Sequence, residues 1–170
     1  MIYILIGADG SGKTTLAQYL MDKHKASYIH ATYNKDMNVL LHHSNIMYFV
    51  AEESQWQDFV IDRFSPCEYA YGNVYRDGES FDTIEMMRYF FNFNKSKGKI
   101  VLIYCNPTQS KYGVDGREEM FENKTVELNK YYQEWLSKAG LPYIEYDWQS
   151  ETFEELEERI SELVKENVDE

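Results

Sequence analysis

The octet GADGSGKT (Gly7–Thr14) follows the apolar run IYILI (2–6) and precedes TLAQYLM (15–21). A strand-length apolar run, a glycine-rich turn and an amphipathic stretch, in that order, read as strand, loop and helix. Such a loop turns its backbone N–H groups inward where the helix begins, and the two together make a cradle for an anion. The octet fits G-x-x-x-x-G-K-[ST], whose lysine reaches the outer phosphates of a nucleotide and whose hydroxyl binds magnesium. Lys13 and Thr14 stand in those places, and Gly10, Ser11, Gly12 and Thr15 complete a cradle suited to ATP with Mg2+. Asp9 does not fit, because a carboxylate among phosphate-facing amides repels the nucleotide. It is expected either to point outward, toward a second substrate, or to satisfy the turn backbone.

The rest of the chain repeats the alternation. Strands are expected at 2–7, 27–31, 58–62, 99–105 and 142–147, and helices at 13–25, 37–53, from Ser65, at 81–96, 117–139 and 151–165. Strands alternating with helices predict a three-layer α/β sandwich around a five-stranded parallel sheet. With 170 residues, 44% of them hydrophobic, the chain can fill one core, so a single domain over 1–170 is expected. The turn-rich stretch NPTQSKYGVDG (106–116) is the longest of its kind and is the expected lid, at about 106–117, over the nucleotide.

Composition narrows the function. The formal charge of −12, from 29 acidic and 17 basic residues, opposes tight binding to long nucleic acid. Apolar runs are too short for a membrane span, and the N-terminal stretch has neither a basic region nor a small-residue cleavage site. Two cysteines, Cys67 and Cys105, are too few for a disulfide framework, so the expected setting is a reducing cytoplasm. The C-terminal stretch sets Leu156, Ile160, Leu163 and Val164 on one face of an amphipathic helix.

A second constellation, DRFSPCEYAYG (62–72), follows the third strand. Asp62 falls at the carboxyl end of that strand, where open α/β sheets bind their ligands, and can hold magnesium through water. Arg63, next along, can clamp a phosphate with two parallel hydrogen bonds.

With these residues the sequence resembles the thymidylate kinase family. Gly7, Asp9, Gly10, Gly12, Lys13 and Thr14 match that family's G-x-D-G-x-G-K-[ST]. Asp62, Arg63, Phe64, Ala70 and Tyr71 match its D-R-[YF]-x-x-S-x-x-A-Y-Q, with Cys67 in place of the serine and Gly72 in place of the glutamine. Arg117, followed by Phe121 and Val126, resembles the lid arginine and its helix, and residues 143–156 resemble the last strand, adenine-side loop and C-terminal helix. The resemblance implies a P-loop nucleotide kinase that transfers the ATP γ-phosphoryl group to a deoxynucleoside monophosphate. It also implies that Arg63, Phe64 and Tyr71 bind this small-molecule acceptor, that Asp9 reads its sugar, that Arg117 closes over the transferring group, and that the protein is a homodimer.

The departures bear on the acceptor. The family's R-E-P-G-G-T stretch has no counterpart in ATYNKDMN (31–38), where Lys35 is the candidate replacement charge. Where the family stacks a phenylalanine on thymine and faces the base with an arginine, LLHHSNIM (40–47) offers His42 and Ile46. The acceptor base is therefore thymine or another or modified pyrimidine. Hydroxyl acceptors call for a positioned carboxylate, and the first acidic residue after the second strand is Asp36, in a loop. A monophosphate acceptor is favoured; a deoxynucleoside, or a hydroxyl on a modified base in DNA, is the alternative. Lys111 is a further candidate cation in the lid.

Overall fold

The computed structural model describes residues 1–94, 100–106 and 118–169. Strands β1 (Ile2–Ile6), β2 (Ser27–His30), β3 (Phe59–Asp62), β4 (Ile100–Cys105) and β5 (Ile144–Tyr146) alternate with helices α1 (Lys13–His24), α2 (Val39–Glu53), α3 (Ser65–Tyr75), α4 (Thr83–Asn94), α5 (Glu118–Ala139) and α6 (Phe153–Asp169). The strands form one sheet in the order β2-β3-β1-β4-β5. Every pairing is parallel, with Leu5 opposite Asp62 on one side of β1 and Ile103 on the other. The expected α/β architecture with its five-stranded parallel sheet is thus the observed one.

The strand sequences explain the layering. Strands β1, β3 and β4 are buried along their whole length, as parallel strands covered on both faces must be, whereas the edge strand β2 alternates between half-buried and exposed positions. Side chains alternate across a strand. Ile2, Ile4 and Ile6 therefore enter one core with residues of α2, α3, α4 and α5, while Tyr3 and Leu5 enter a second core with α1 and α6. From β1 the chain passes to β2 and back to β3 on one side of β1, then crosses to β4 on the other, and this reversal opens a crevice at the carboxyl ends of the central strands.

Helix starts differ from the sequence expectation where a side chain caps the backbone. Helix α2 begins at Val39 rather than Met37, because Asn38 caps it by accepting from the Leu41 amide at 2.9 Å. Asp82 accepts from the Glu85 amide at 2.9 Å, and α4 begins at Thr83 rather than Phe81. Thr152 and Glu155 form a reciprocal capping box, 3.3 Å and 2.8 Å, so α6 begins at Phe153 rather than Glu151.

One close approach positions the site. A Cβ at Gly72 would meet the Gly78 carbonyl oxygen at 2.5 Å, so only glycine lets the segment after α3 fold back on it. The Gly72 carbonyl accepts from the amides of Arg76 (3.0 Å) and Gly78 (3.2 Å), which fixes that return.

Candidate nucleotide and acceptor site

The loop between β1 and α1 has the geometry of an anion cradle. Gly12, with φ of 91°, occupies the N-cap of α1 without a side-chain cap, and no acidic residue stands in the first turn. The amides there are left to a ligand, and the helix dipole adds to their pull on an anion. At Gly7 a Cβ would lie 2.4 Å from the Cys105 carbonyl oxygen, so glycine lets the loop close against β4. A Cβ at Gly12 would lie 2.8 Å from Trp148, a half-exposed indole in the β5–α6 turn that covers the other side of the loop.

Lys13 is buried beneath this loop. Its ammonium donates to the carbonyls of Gly7 (2.8 Å) and Ala8 (2.6 Å) and to the Ser11 hydroxyl (3.3 Å). The Gly7 carbonyl also accepts from the Tyr132 hydroxyl of α5 at 3.2 Å. Ser11 is buried in the loop, and Thr14 and Thr15 are exposed on the first turn of α1.

Across the crevice, Asp62 ends β3 and is 4% exposed, with the Tyr28 phenol donating to its Oδ2 at 2.9 Å. Burial first, and then this hydrogen bond to a carboxylate, push the Tyr28 phenol up to about 12, so it stays protonated and keeps donating. The other oxygen, Oδ1, is buried without a partner among the described residues. A buried, unsatisfied carboxylate oxygen costs free energy unless something binds it. Together with the Thr14 hydroxyl, this hard oxygen fits a magnesium ion, directly or through water. Among the described residues there is no cluster of three or more histidine, cysteine or acidic side chains to hold any other metal.

Arg63 follows in a left-handed conformation, φ 61°, that a side-chain-bearing residue adopts only at a cost of about 1–2 kcal/mol. The turn aims its guanidinium back across the crevice, where it pairs with Asp9 and lies over the Tyr71 ring at 5.6 Å. Asp9 is thereby turned away from the amides of its own loop and toward the β3–α3 side.

Beyond Arg63 lies a cavity of about 520 Å3, lined among others by Phe64, Cys67, Tyr71, His43, Glu68 and Arg76. The size suits a nucleoside or nucleotide. Arg63, Phe64 and Tyr71, named from the sequence, face it; Lys35 and His42 do not. Lys35 sits exposed in the β2–α2 loop, and the second cation of the cavity is Arg76 instead. One position along α2, His43 takes the place expected for His42, because a step of one residue turns a helix by about 100°. His43 stacks on Phe64, with ring centroids 4.9 Å apart, and its Nδ1 lies 3.1 Å from the Ser65 hydroxyl. Burial pulls its imidazole down to about 4, so it is neutral at pH 7.

Glu68 is the other residue the sequence does not single out. Its buried carboxylate accepts two bonds of 2.8 Å from Arg76, and further bonds from the Ser80 hydroxyl (2.7 Å) and amide (3.2 Å). Arg117 and Lys111 lie outside the described residues, as does the expected lid at 106–117 apart from Asn106. Val126, placed behind the lid by resemblance, is 72% exposed on α5.

No protein-family profile matches the sequence, and no curated protein matches it. Solved structures do match. The chain is similar to the YorR protein from Bacillus subtilis, solved in complex with phosphorylated GDP: TM-score 0.71 and 23% identity over 97% of this chain and 96% of that one. It is similar to thymidylate kinase from Candida albicans, with TM-score 0.57 and 13% identity over 98% and 91% of the two chains. It is also similar to deoxyadenosine kinase from M. mycoides, solved with dCMP and dCDP products, with TM-score 0.55 and 16% identity over 96% and 98%. The fold is that of the P-loop kinases. Among the described residues, no helix is long and apolar enough to cross a membrane.

Proposed function

We propose that the protein is a phosphotransferase that moves the γ-phosphoryl group of ATP, with magnesium, to a deoxynucleoside monophosphate, the leading acceptors being dTMP or another or modified pyrimidine nucleotide. The observation that carries this reading is the pairing of Arg63 with Asp9 across one crevice. It sets a phosphate-clamping cation and a sugar-reading carboxylate side by side, between the Lys13 cradle and a nucleoside-sized cavity.

The residues divide the work as follows. The loop amides and Lys13 hold the ATP phosphates, and the Lys13 ammonium can exchange its carbonyl partners for phosphate oxygens. Thr14 and Asp62 would hold magnesium, which when bound offsets charge on the phosphate oxygens. Arg63 orients the acceptor phosphate, and Asp9 accepts a hydrogen bond from the acceptor sugar. A monophosphate oxygen is already an anion, so no proton has to leave it, and catalysis rests on alignment and charge neutralisation. Arg117 is assigned to closure over the transferring group, on resemblance alone. The proposal extends to a cytoplasmic homodimer without nucleic-acid partners, joined through α2, whose Leu40, Leu41, Tyr48 and Phe49 are exposed. Helix α3 is mostly buried within its own chain and offers less for such a contact.

A deoxynucleoside acceptor is the second reading, and one observation favours it. Both arginines of the cavity carry carboxylate partners, Arg63 with Asp9 and Arg76 with Glu68, which leaves little net positive charge for a phosphate dianion. An ADP-release assay with ATP and magnesium, run on a panel of deoxynucleoside monophosphates, the matching nucleosides and a DNA oligonucleotide, separates the readings. Turnover of a monophosphate, lost in a folded Lys13→Ala variant, supports the first; turnover only of nucleosides or DNA overturns it.

A further inference from the structure

The cavity contains a polar device that the phosphoryl-transfer reading does not use. Glu68, on α3, and Arg76, just past its end, form a bidentate pair in the cavity wall, with Ser80 closing a second pair of bonds on the same carboxylate. The cavity-lining ring of Tyr33 lies 4.1 Å from the Arg76 guanidinium and covers one of its faces. Fixed on one edge by Glu68 and on one face by Tyr33, the guanidinium is held in a single plane.

The two members of the pair are not equally presented. The side chain of Glu68 is 3% exposed and that of Arg76 is 24% exposed, so the pair shows its donor to the cavity and withdraws its acceptor. Oε1 of Glu68 already accepts three bonds. Arg76 spends one N–H of each terminal nitrogen on Glu68 and turns the second N–H of Nη1 toward the Ser80 hydroxyl at 3.5 Å, so the donors it keeps for the cavity are on Nη2 and Nε; a guanidinium has donors only and does not lose its proton. His43, which lines the cavity together with His30, is neutral at pH 7 because burial holds it far below its ordinary range.

We propose that Arg76, held in place by Glu68, makes the acceptor cavity selective for a nucleobase that presents a carbonyl oxygen over one that presents an amino group. A carbonyl oxygen completes the free donors of Arg76. An exocyclic amino group sets donor against donor and leaves both without a partner in a partly buried site, which is the arrangement that rejects a near-isosteric ligand most strongly. Arg76 is a specificity-determining residue on this account, and Glu68 a positioning residue that acts through it. Gly72 is part of the same device, because it lets the 76–80 segment return to Glu68. The inference rests on the cavity being the acceptor site, but not on which group of the acceptor receives the phosphoryl.

Titration calorimetry on the full chain tests it directly, with two pairs of ligands: dUMP against dCMP, and dIMP against dAMP. Each pair differs at one exocyclic group and the adjoining ring nitrogen. The oxo member of the better-binding pair is expected to bind roughly tenfold to a hundredfold more tightly than its amino partner. The double variant Glu68→Gln/Arg76→Gln, which leaves no buried charge unpaired, is expected to bring that ratio within about threefold of unity, given the size of one lost discriminating contact. Should the double variant fail to melt cooperatively, Arg76→Lys supplies the second test: it keeps the charge, loses the planar fork, and is expected to lower the ratio in the same direction. Equal or tighter binding of the amino member, no binding by either pair, or an unchanged ratio in the folded variants overturns the inference. Turnover of monophosphates without an oxo preference sinks this inference and spares the proposed reaction; an oxo preference in binding without turnover of any monophosphate does the reverse.

Discussion

The Tyr28 phenol, on edge strand β2, donates to Oδ2 of Asp62, at the end of β3, at 2.9 Å, and in doing so fixes which oxygen of that carboxylate is left to a ligand. Oδ1, which has no partner among the described residues, is the consequence. A side chain that orients a metal-binding carboxylate matters to the metal even without touching it.

Tyr28→Phe is therefore expected to raise the magnesium concentration for half-maximal rate by roughly tenfold, the low end of what loss of such a partner does. The ring stays, so the melting temperature is expected to move little. A magnesium titration of the initial rate, at fixed ATP, checks this; an unchanged midpoint removes the orienting role.

Asp9 and Arg63 form the pair on which the acceptor assignment stands. Asp9→Asn keeps the shape and removes the charge, so it weakens a charge-assisted bond to the acceptor sugar and unpairs Arg63. The acceptor KM is expected to rise about tenfold, from the loss of a bond worth roughly 1.5–3 kcal/mol, with the ATP KM within about twofold of its starting value. Steady-state kinetics in both substrates decides it, and equal shifts in the two constants would show that Asp9 serves the loop rather than the acceptor.

His43 gives a prediction in pH. Its folded-state value of about 4 lies below the ordinary 6.5, so the unfolded chain binds the extra proton first as pH falls. The stabilisation from the neutral, buried ring is complete above about 6.5 and is lost on the way down to about 4. Across that window wild type should lose about 3 kcal/mol more than His43→Gln, a figure good to its order of magnitude. Urea midpoints of the two proteins at several pH values between 4 and 7 give the difference directly, with the carboxylates common to both cancelling; parallel curves would mean that the ring is already hydrated.

The parts of this structure that local sequence signals encode were readable before any coordinates. Gly7–Thr14 carries three signals at once, an apolar run before it, helix periodicity after it, and glycines where the backbone needs them, and Asp62 and Arg63 sit at the end of a run that is apolar on both faces. What the sequence hid depends on phase and on contacts between distant positions. Helix α2 was placed, but its rotation was not, because Leu40, Leu41, Tyr48 and Phe49 put apolar side chains on its outer side and blur the inner face. Resemblance to the family's base-stacking position points to His42, and no phase signal is there to shift it by the one residue that brings His43 to the cavity. Arg76 was missed for a related reason: its partner lies eight residues back, at a spacing with no regular helical contact, and is reached only through the fold-back at Gly72. The one available signal was Gly72 itself, a glycine inside a helix where the similar family has glutamine.

That glycine also constrains how such a pocket can change. With a side chain at position 72, the 76–80 segment is pushed from α3, and Arg76 has no route to Glu68. The wall of the cavity therefore has a single mechanical weak point: one added methyl at position 72 reaches, through the backbone at Gly78, the Ser80 and Arg76 bonds to Glu68.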